Sequence, residues 1–251
     1  MIALLGTELR KCWSRREVHL FGLLALAGIA LAAVLVFINS AKPENHFDVV
    51  DINNVFQGVS APLTILGIAL AASFTGAEWS AGTMTTLLTW EPRRGRVYLA
   101  KLVAAAIFTF ISAIVLQVVL GLALLPSGLA HGSAAGADAH WFWTAAASAS
   151  RGAIVAVLGA AIGLAIAWLA RNTTAAVLVT FFYLFVLENV VLALKQHWSG
   201  WLFSENAGIF VVGPKLDIRG HSSIQALLVL CAYAGIVTVV SMALFSRRDV
   251  T

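Results

Sequence analysis

Charged residues make up only 11% of the 251 positions, so those lying inside or beside long apolar runs are the first that need a chemical explanation. Arg151 opens the fourth run at its outer end, and Glu188 sits about two turns from the outer end of the fifth. A charge within a membrane span costs at least about 2.5–3.5 kcal/mol on insertion scales, so it faces protein, water or an opposite charge. An Arg151–Glu188 ion pair across adjacent runs satisfies both groups. The alternative has Arg151 reaching lipid headgroups and Glu188 facing a wet outer vestibule. Bond-breaking chemistry has little to work with. No Gly-Lys dipeptide occurs, which excludes a G-x-x-x-x-G-K-[ST] phosphate loop, and no H-E-x-x-H zinc motif occurs. The six histidines fall in termini and connections, which leaves Ser73, Ser112 and Ser241 without the partner histidine an intramembrane hydrolase needs. Thr64, Ser73, Thr109, Ser112 and Gln117 are the polar side chains that could line a route through the apolar runs.

The densest set of distinctive residues lies between the second and third runs, over 78–97: Glu78, Gly82, Thr83, Met84, Leu87, Leu88, Trp90, Pro92 and Arg93, then Arg94, Arg96 and, just beyond, Lys101. Ser80 is placed to cap a short helix. Met84, Leu87 and Leu88 then give it a one-sided apolar stripe at i, i+3, i+4, and Pro92 ends it. Too small to fold alone, such a helix needs a surface to dock against. The simpler alternative is a hairpin lying on lipid headgroups.

The elements that position these residues follow from composition. The chain is 60% hydrophobic with a mean hydropathy of +0.90, against about 45–50% apolar for soluble domains. A soluble enzyme, a disordered chain and an ordinary nucleic-acid module are excluded. A spanning helix takes about 20 apolar residues, and six runs qualify, at 18–38, 59–77, 99–125, 151–170, 174–194 and 224–246. Pro126 is expected to stop the third. The first run exceeds the about 7–15 residues of a signal-peptide core and reads as a retained span. Together they predict an all-α polytopic membrane protein with one transmembrane domain over 1–251.

Residues 1–17 read as an amphipathic interfacial helix, with Ile2, Leu5, Leu9, Cys12 and Trp13 on one face and Thr7, Lys11, Ser14 and Arg15 opposite. The outer segment 195–223 carries Trp198, Trp201, Leu202, Phe203 and the run from Ile209 to Val212, too apolar for a solvated loop, and is expected to re-enter the outer leaflet. The outer stretch 127–140 reads instead as small and flexible. In the fourth run Gly152, Ala156, Gly159, Ala160, Gly163 and Ala167 are spaced for close helix packing. Eleven Lys and Arg fall on one side of the six spans and four on the other, Arg151 aside, which places both termini in the cytoplasm. The eight tryptophans fall at span ends, as an aromatic belt. Cys12 and Cys231 are too far apart in this layout to form a disulfide, and no CxxC pair suggests a zinc site.

The pattern Glu78…Gly82-Thr83…Leu87-Leu88…Pro92-Arg93…Lys101 resembles the inner connection of ABC-2-type transporter permeases. The six spans, the amphipathic start, the apolar outer segment and the end Phe245-Ser-Arg247-Arg248-Asp249 extend that resemblance over the whole layout. It implies a permease subunit of an ATP-driven ABC exporter in the cytoplasmic membrane, moving a drug, peptide, lipid or similar amphipathic compound. It also implies two permeases, identical or different, and two copies of a separate ATPase subunit. ATP and magnesium would be bound by that subunit, and no cofactor by this chain. Glu78, Gly82, Thr83, Met84, Leu87, Leu88, Trp90, Pro92 and Arg93 would form the coupling segment, braced by the 1–17 helix. Arg93, Arg94 and Arg96 would meet either acidic groups of the ATPase or anionic lipid. The rival readings are a channel or secondary transporter, which would want the repeats or broken helices that are not visible here, and a membrane anchor or assembly factor using the same inner helix.

Overall fold

Six apolar stretches are long enough to cross a bilayer, and each forms helix because lipid leaves the backbone no other hydrogen-bond partners. The computed structural model describes residues 2–42, 44–213 and 222–247. Residues 214–221 of the outer segment, with Lys215 and Arg219, two of the four basic residues counted on the outer side, and Arg248 and Asp249 of the terminal pattern lie outside them. No strand occurs among the described residues.

The chain opens with α1 (Ile2–Ser14), breaks at the extended Arg15, and continues as the first spanning helix, α2 (Arg16–Ser40). Asp48 and Asp51 form a capping box around a 3-10 turn, Val49–Asp51. That turn leads into the short α3 (Ile52–Gly58) and the second spanning helix, α4 (Ser60–Ser80). After the small α5 (Thr83–Trp90) come the two longest helices, α6 (Arg94–His131) and α7 (Ala139–Ala170). Arg171 turns the chain at φ 52°, and Asn172 caps α8 (Thr173–Phe182) by accepting from the Ala175 N–H. A π-helical turn, Tyr183–Leu187, joins α8 to α9 (Glu188–Leu194), completing the fifth span. The outer segment folds into a 3-10 turn, Gln196–Trp201, and α10 (Phe203–Val212). The last spanning helix is α11 (Ser223–Arg247).

The architecture agrees with the predicted all-α polytopic fold of six spans. Three local expectations are corrected. Pro126 does not stop the third span: α6 runs five residues beyond it to His131. Contacts replace what the proline removes, because Gly128 lies against Val49 and His131 meets Ser40 Oγ at 3.2 Å and the Phe37 ring. Stretch 127–140 is therefore half helix: residues 127–131 close α6 and 139–140 open α7, which Asp138 caps by accepting from the Trp141 N–H at 2.8 Å, and only 132–138 between them is irregular. Ser80 is not the cap of α5. It ends α4, its hydroxyl donating back to the Ala77 carbonyl, and Gly82 starts α5 at φ 69°, a left-handed conformation that glycine adopts freely.

The small residues of the fourth span do what their spacing suggests. α4 and α7 form the most extensive helix pair in the molecule. A Cβ on Gly163 would fall 2.6 Å from the Ile68 carbonyl oxygen, and one on Gly67 would fall 2.8 Å from that of Ala156. The outer segment packs apolar residues inward, with Phe203, Ile209, Phe210 and Val211 clustering against Val155 of α7 and Leu230 of α11.

Candidate functional site

The end of the molecule that carries α1, α5 and the close of α11 gathers most of the predicted site residues. α5 exists because Gly82 lets the chain reverse after α4, and because Glu91, extended ahead of Pro92, ends it. Thr83 Oγ1 donates to the Glu78 carbonyl at 3.3 Å, fastening the start of α5 to the end of α4. Met84 is fully buried in the principal core with Phe74, Tyr98, Trp168 and Phe245, and Leu87 and Leu88 lie half-buried against the same cluster. The apolar stripe is therefore spent on this chain's own body. The face left to solvent is Thr83, Thr85, Thr86, Thr89, Trp90, Pro92 and Arg93, with Trp90 85% exposed. Arg96 makes only a surface pair with Glu91 at 3.7 Å. Arg94 donates to the Phe245 carbonyl at 3.1 Å and tethers α6 to the end of α11.

Glu78 takes no part in that outer face. Its carboxylate lies inside a charge cluster that the sequence reading did not assemble. Lys101 Nζ is 2.6 Å from Glu78 Oε2 and 2.7 Å from Glu8 Oε2. Lys101, Glu8 and Glu78 are only 4%, 5% and 8% exposed. Lys11 joins at 2.8 Å from Glu8 and 3.6 Å from Glu78, and Arg15 at 3.2 Å from Glu78. Arg15 also donates to the Ser73 and Phe74 carbonyls. The cluster therefore ties α1, the end of α4 and the start of α6 together around α5. Glu8, Lys11 and Cys12 stand at i, i+3 and i+4, one helical face, with Arg15 just beyond the end of α1, and that spacing is the signal that would have found it. Sorting α1 into apolar and polar faces instead sent Lys11 and Arg15 to the headgroups. In the structure both reach Glu78 of α4, while Thr7 and Ser14 of that face stay exposed and Trp13 of the apolar face is exposed with them.

The cluster sets the protonation of α1. Burial works to raise the Glu8 carboxyl, but the ammonium groups of Lys101 and Lys11 outweigh it and hold the carboxyl below its ordinary 4.5. Burial also opposes the charge on Lys11, yet Glu8 and Glu78 raise it above 10.5. Burial, with Glu8 beside it, pushes the Cys12 thiol up to about 11. Cys12 is thus a neutral packing residue. Among the described residues no group of three His, Cys, Asp or Glu side chains is placed to hold a metal ion.

At the opposite end, Arg151 and Glu188 go to different surroundings, and no ion pair joins them. Glu188, 1% exposed, accepts from the Phe203 N–H at 2.7 Å, the Ser204 N–H at 3.1 Å and the Ser204 hydroxyl. These are the free donors at the start of α10, whose own preceding residue, Leu202, supplies no side-chain cap. The carboxylate of the fifth span is thus the anion that this helix N-terminus requires. Arg151 instead borders a half-polar cavity of about 740 Å³. Of the polar residues considered for a route, Gln117 is buried between α6 and α7, donating to the Ala113 and Ala149 carbonyls. Ser73 bonds back to the Leu70 carbonyl and Thr64 to that of Ser60.

A family model described as ABC-2 family transporter protein matches residues 4–187, from α1 through the π-helical turn. No curated protein matches the chain.

Proposed function

We propose a function from the premise that this chain belongs to the ABC-2 family of transporter proteins. It is a permease subunit of an ABC transporter, a membrane component without an ATPase site of its own that works with an ABC ATPase subunit. α5 is its coupling helix, and both termini are cytoplasmic, so that α5 and the charge cluster face the ATPase. Two such permeases, of one kind or two, surround the path, and two ATPases bind ATP and magnesium. Closure of the ATPase pair displaces α5 and drives an amphipathic cargo outward. A largely uncharged set of spans favours a cargo of that class.

The observation that carries this reading is the division of labour on α5. Met84, Leu87 and Leu88 are occupied by the permease core, while Thr85, Thr86, Thr89 and Trp90 form an uncommitted face. An exposed tryptophan flanked by small hydroxyl side chains is the kind of residue that dominates binding at protein interfaces. The chain, tagged and purified in mild detergent from its native host, is expected to bring down an ATPase near equal stoichiometry. Trp90→Ala combined with Thr86→Asp should lower that recovery roughly tenfold or more without changing the yield of permease. Purification of the parent chain with no nucleotide-binding partner, or undiminished recovery with the double variant, overturns the reading.

A further inference from the structure

The 740 Å³ cavity at the end opposite α5 lies between the 3-10 turn and α3 on one side and the start of α7 on the other. Its wall holds one cation, Arg151, and two carboxylates, Asp51 and Asp138. Among the described residues Arg151 makes no hydrogen bond or ion pair, because Glu188 is committed to α10. The backbone keeps its place open. A Cβ on Gly213 would fall 2.2 Å from Arg151 Nη1 and displace the guanidinium from its present place, and φ 79° at Gly213 favours glycine independently. Both carboxylates accept a local backbone N–H, Asp51 from Asp48 at 3.0 Å and Asp138 from Trp141 at 2.8 Å, and Asp51 also accepts from the Asn54 amide at 3.3 Å. One or two such bonds leave part of a carboxylate's accepting capacity unused. Asn53 adds a buried carbonyl oxygen, Oδ1, with no partner, which is costly unless a donor is supplied. Trp141 and Trp143 complete the wall.

We propose that this cavity binds a zwitterionic lipid headgroup that carries a phosphate and a primary ammonium, drawn from the adjacent leaflet. The guanidinium offers a two-pronged match to the phosphate. The ammonium is met by the carboxylates and by tryptophan ring faces, and its N–H groups satisfy Asn53 Oδ1. A quaternary ammonium cannot make that last bond, so the site favours the primary amine. A simple anion is disfavoured by two carboxylates against one guanidinium. The bilayer is the source because Phe142 and Trp143, both exposed, offer an apolar bed for acyl chains beside the cavity. The assignment concerns binding and is independent of the direction of transport.

The test is native mass spectrometry of the intact protein released from nanodiscs containing equal phosphatidylethanolamine, phosphatidylcholine and phosphatidylglycerol. Phosphatidylethanolamine should be the lipid retained in preference. Arg151→Gln should lower its retention roughly tenfold, the scale of one charge-assisted hydrogen bond, and Arg151→Lys should restore most of it. Asp138→Asn keeps the cap of α7 but should erase the preference over phosphatidylglycerol. Excess water-soluble glycerophosphoethanolamine should not displace the lipid. Displacement would make water the source and overturn the bilayer assignment. Retention of all three lipids alike, or retention indifferent to Arg151→Gln, overturns the site itself. The readout needs no nucleotide, so loss of the ATPase, the failure that would sink the coupling reading, leaves this measurement intact.

Discussion

Lys101 and its two glutamates face opposing energies. Moving each charge out of water costs several kcal/mol, which only close pairing repays. Here one ammonium between two carboxylates, with Lys11 and Arg15 at the edge, repays it. Removing the centre should therefore cost more than any surface pair is worth. Lys101→Met leaves two buried carboxylates facing each other, and a thermal or denaturant assay of the detergent-purified protein should show a loss of about 3–5 kcal/mol. Adding Glu8→Gln should recover part of that loss, because the two sites share a partner. The pH dependence follows from the directions of shift. The lowered Glu8 contributes fully above its ordinary 4.5, and that contribution is lost as pH falls through its depressed value. The raised Lys11 contributes fully below 10.5, and its share is lost as pH rises through its elevated value. Thermal stability measured across that window should be flat with respect to this cluster. Two of the cluster's five members were legible beforehand, since Glu78 and Lys101 bracket the family pattern. Glu8 was not, because a single acid on a basic helix reads as surface until the helix is docked.

Among the elements, the spans were legible because each is a long apolar run that lipid forces into helix, and α5 because its stripe and Pro92 bound it. Less legible was what each surface faces. An apolar stripe announces that something covers it, without distinguishing the chain's own core from a partner, and Met84, Leu87 and Leu88 turned out to face the core. Pro126 and residues 127–131 misled for a related reason, since local breakers yielded to tertiary contacts with Val49, Phe37 and Ser40, whereas 132–138 form the irregular turn that the small residues suggested. The α4–α7 pair provides the element-level test. Gly163→Val places carbon on the Ile68 backbone and should cost about 1–3 kcal/mol through overpacking, read as a lower melting temperature. Gly28→Ala on α2, with nothing within 4 Å of the new carbon, should leave the melting temperature unchanged.

For the molecule as a whole, the excess of basic residues at one end is the argument for the proposed orientation, and the chain itself permits a direct check. Cys12 is buried as a neutral thiol and Cys231 lies within the apolar span α11, about a third of the way from its start, so neither should react with a membrane-impermeant maleimide. In intact cells, Ala137→Cys, in the turn between α6 and α7, should label, and Thr86→Cys on α5 should label only after the membrane is opened. The reverse pattern would invert the orientation and move α5 away from the ATPase.

The glycine seam between α4 and α7 has a mechanical meaning. Where the two backbones approach this closely, an added Cβ would collide, so the pair forms a stiff path between its two ends. One end carries α5, reached through the turn at Gly82, and the other carries Arg151 and the cavity wall. On the coupling reading proposed above, a displacement of α5 would travel along that path and reach whatever lodges beside Arg151.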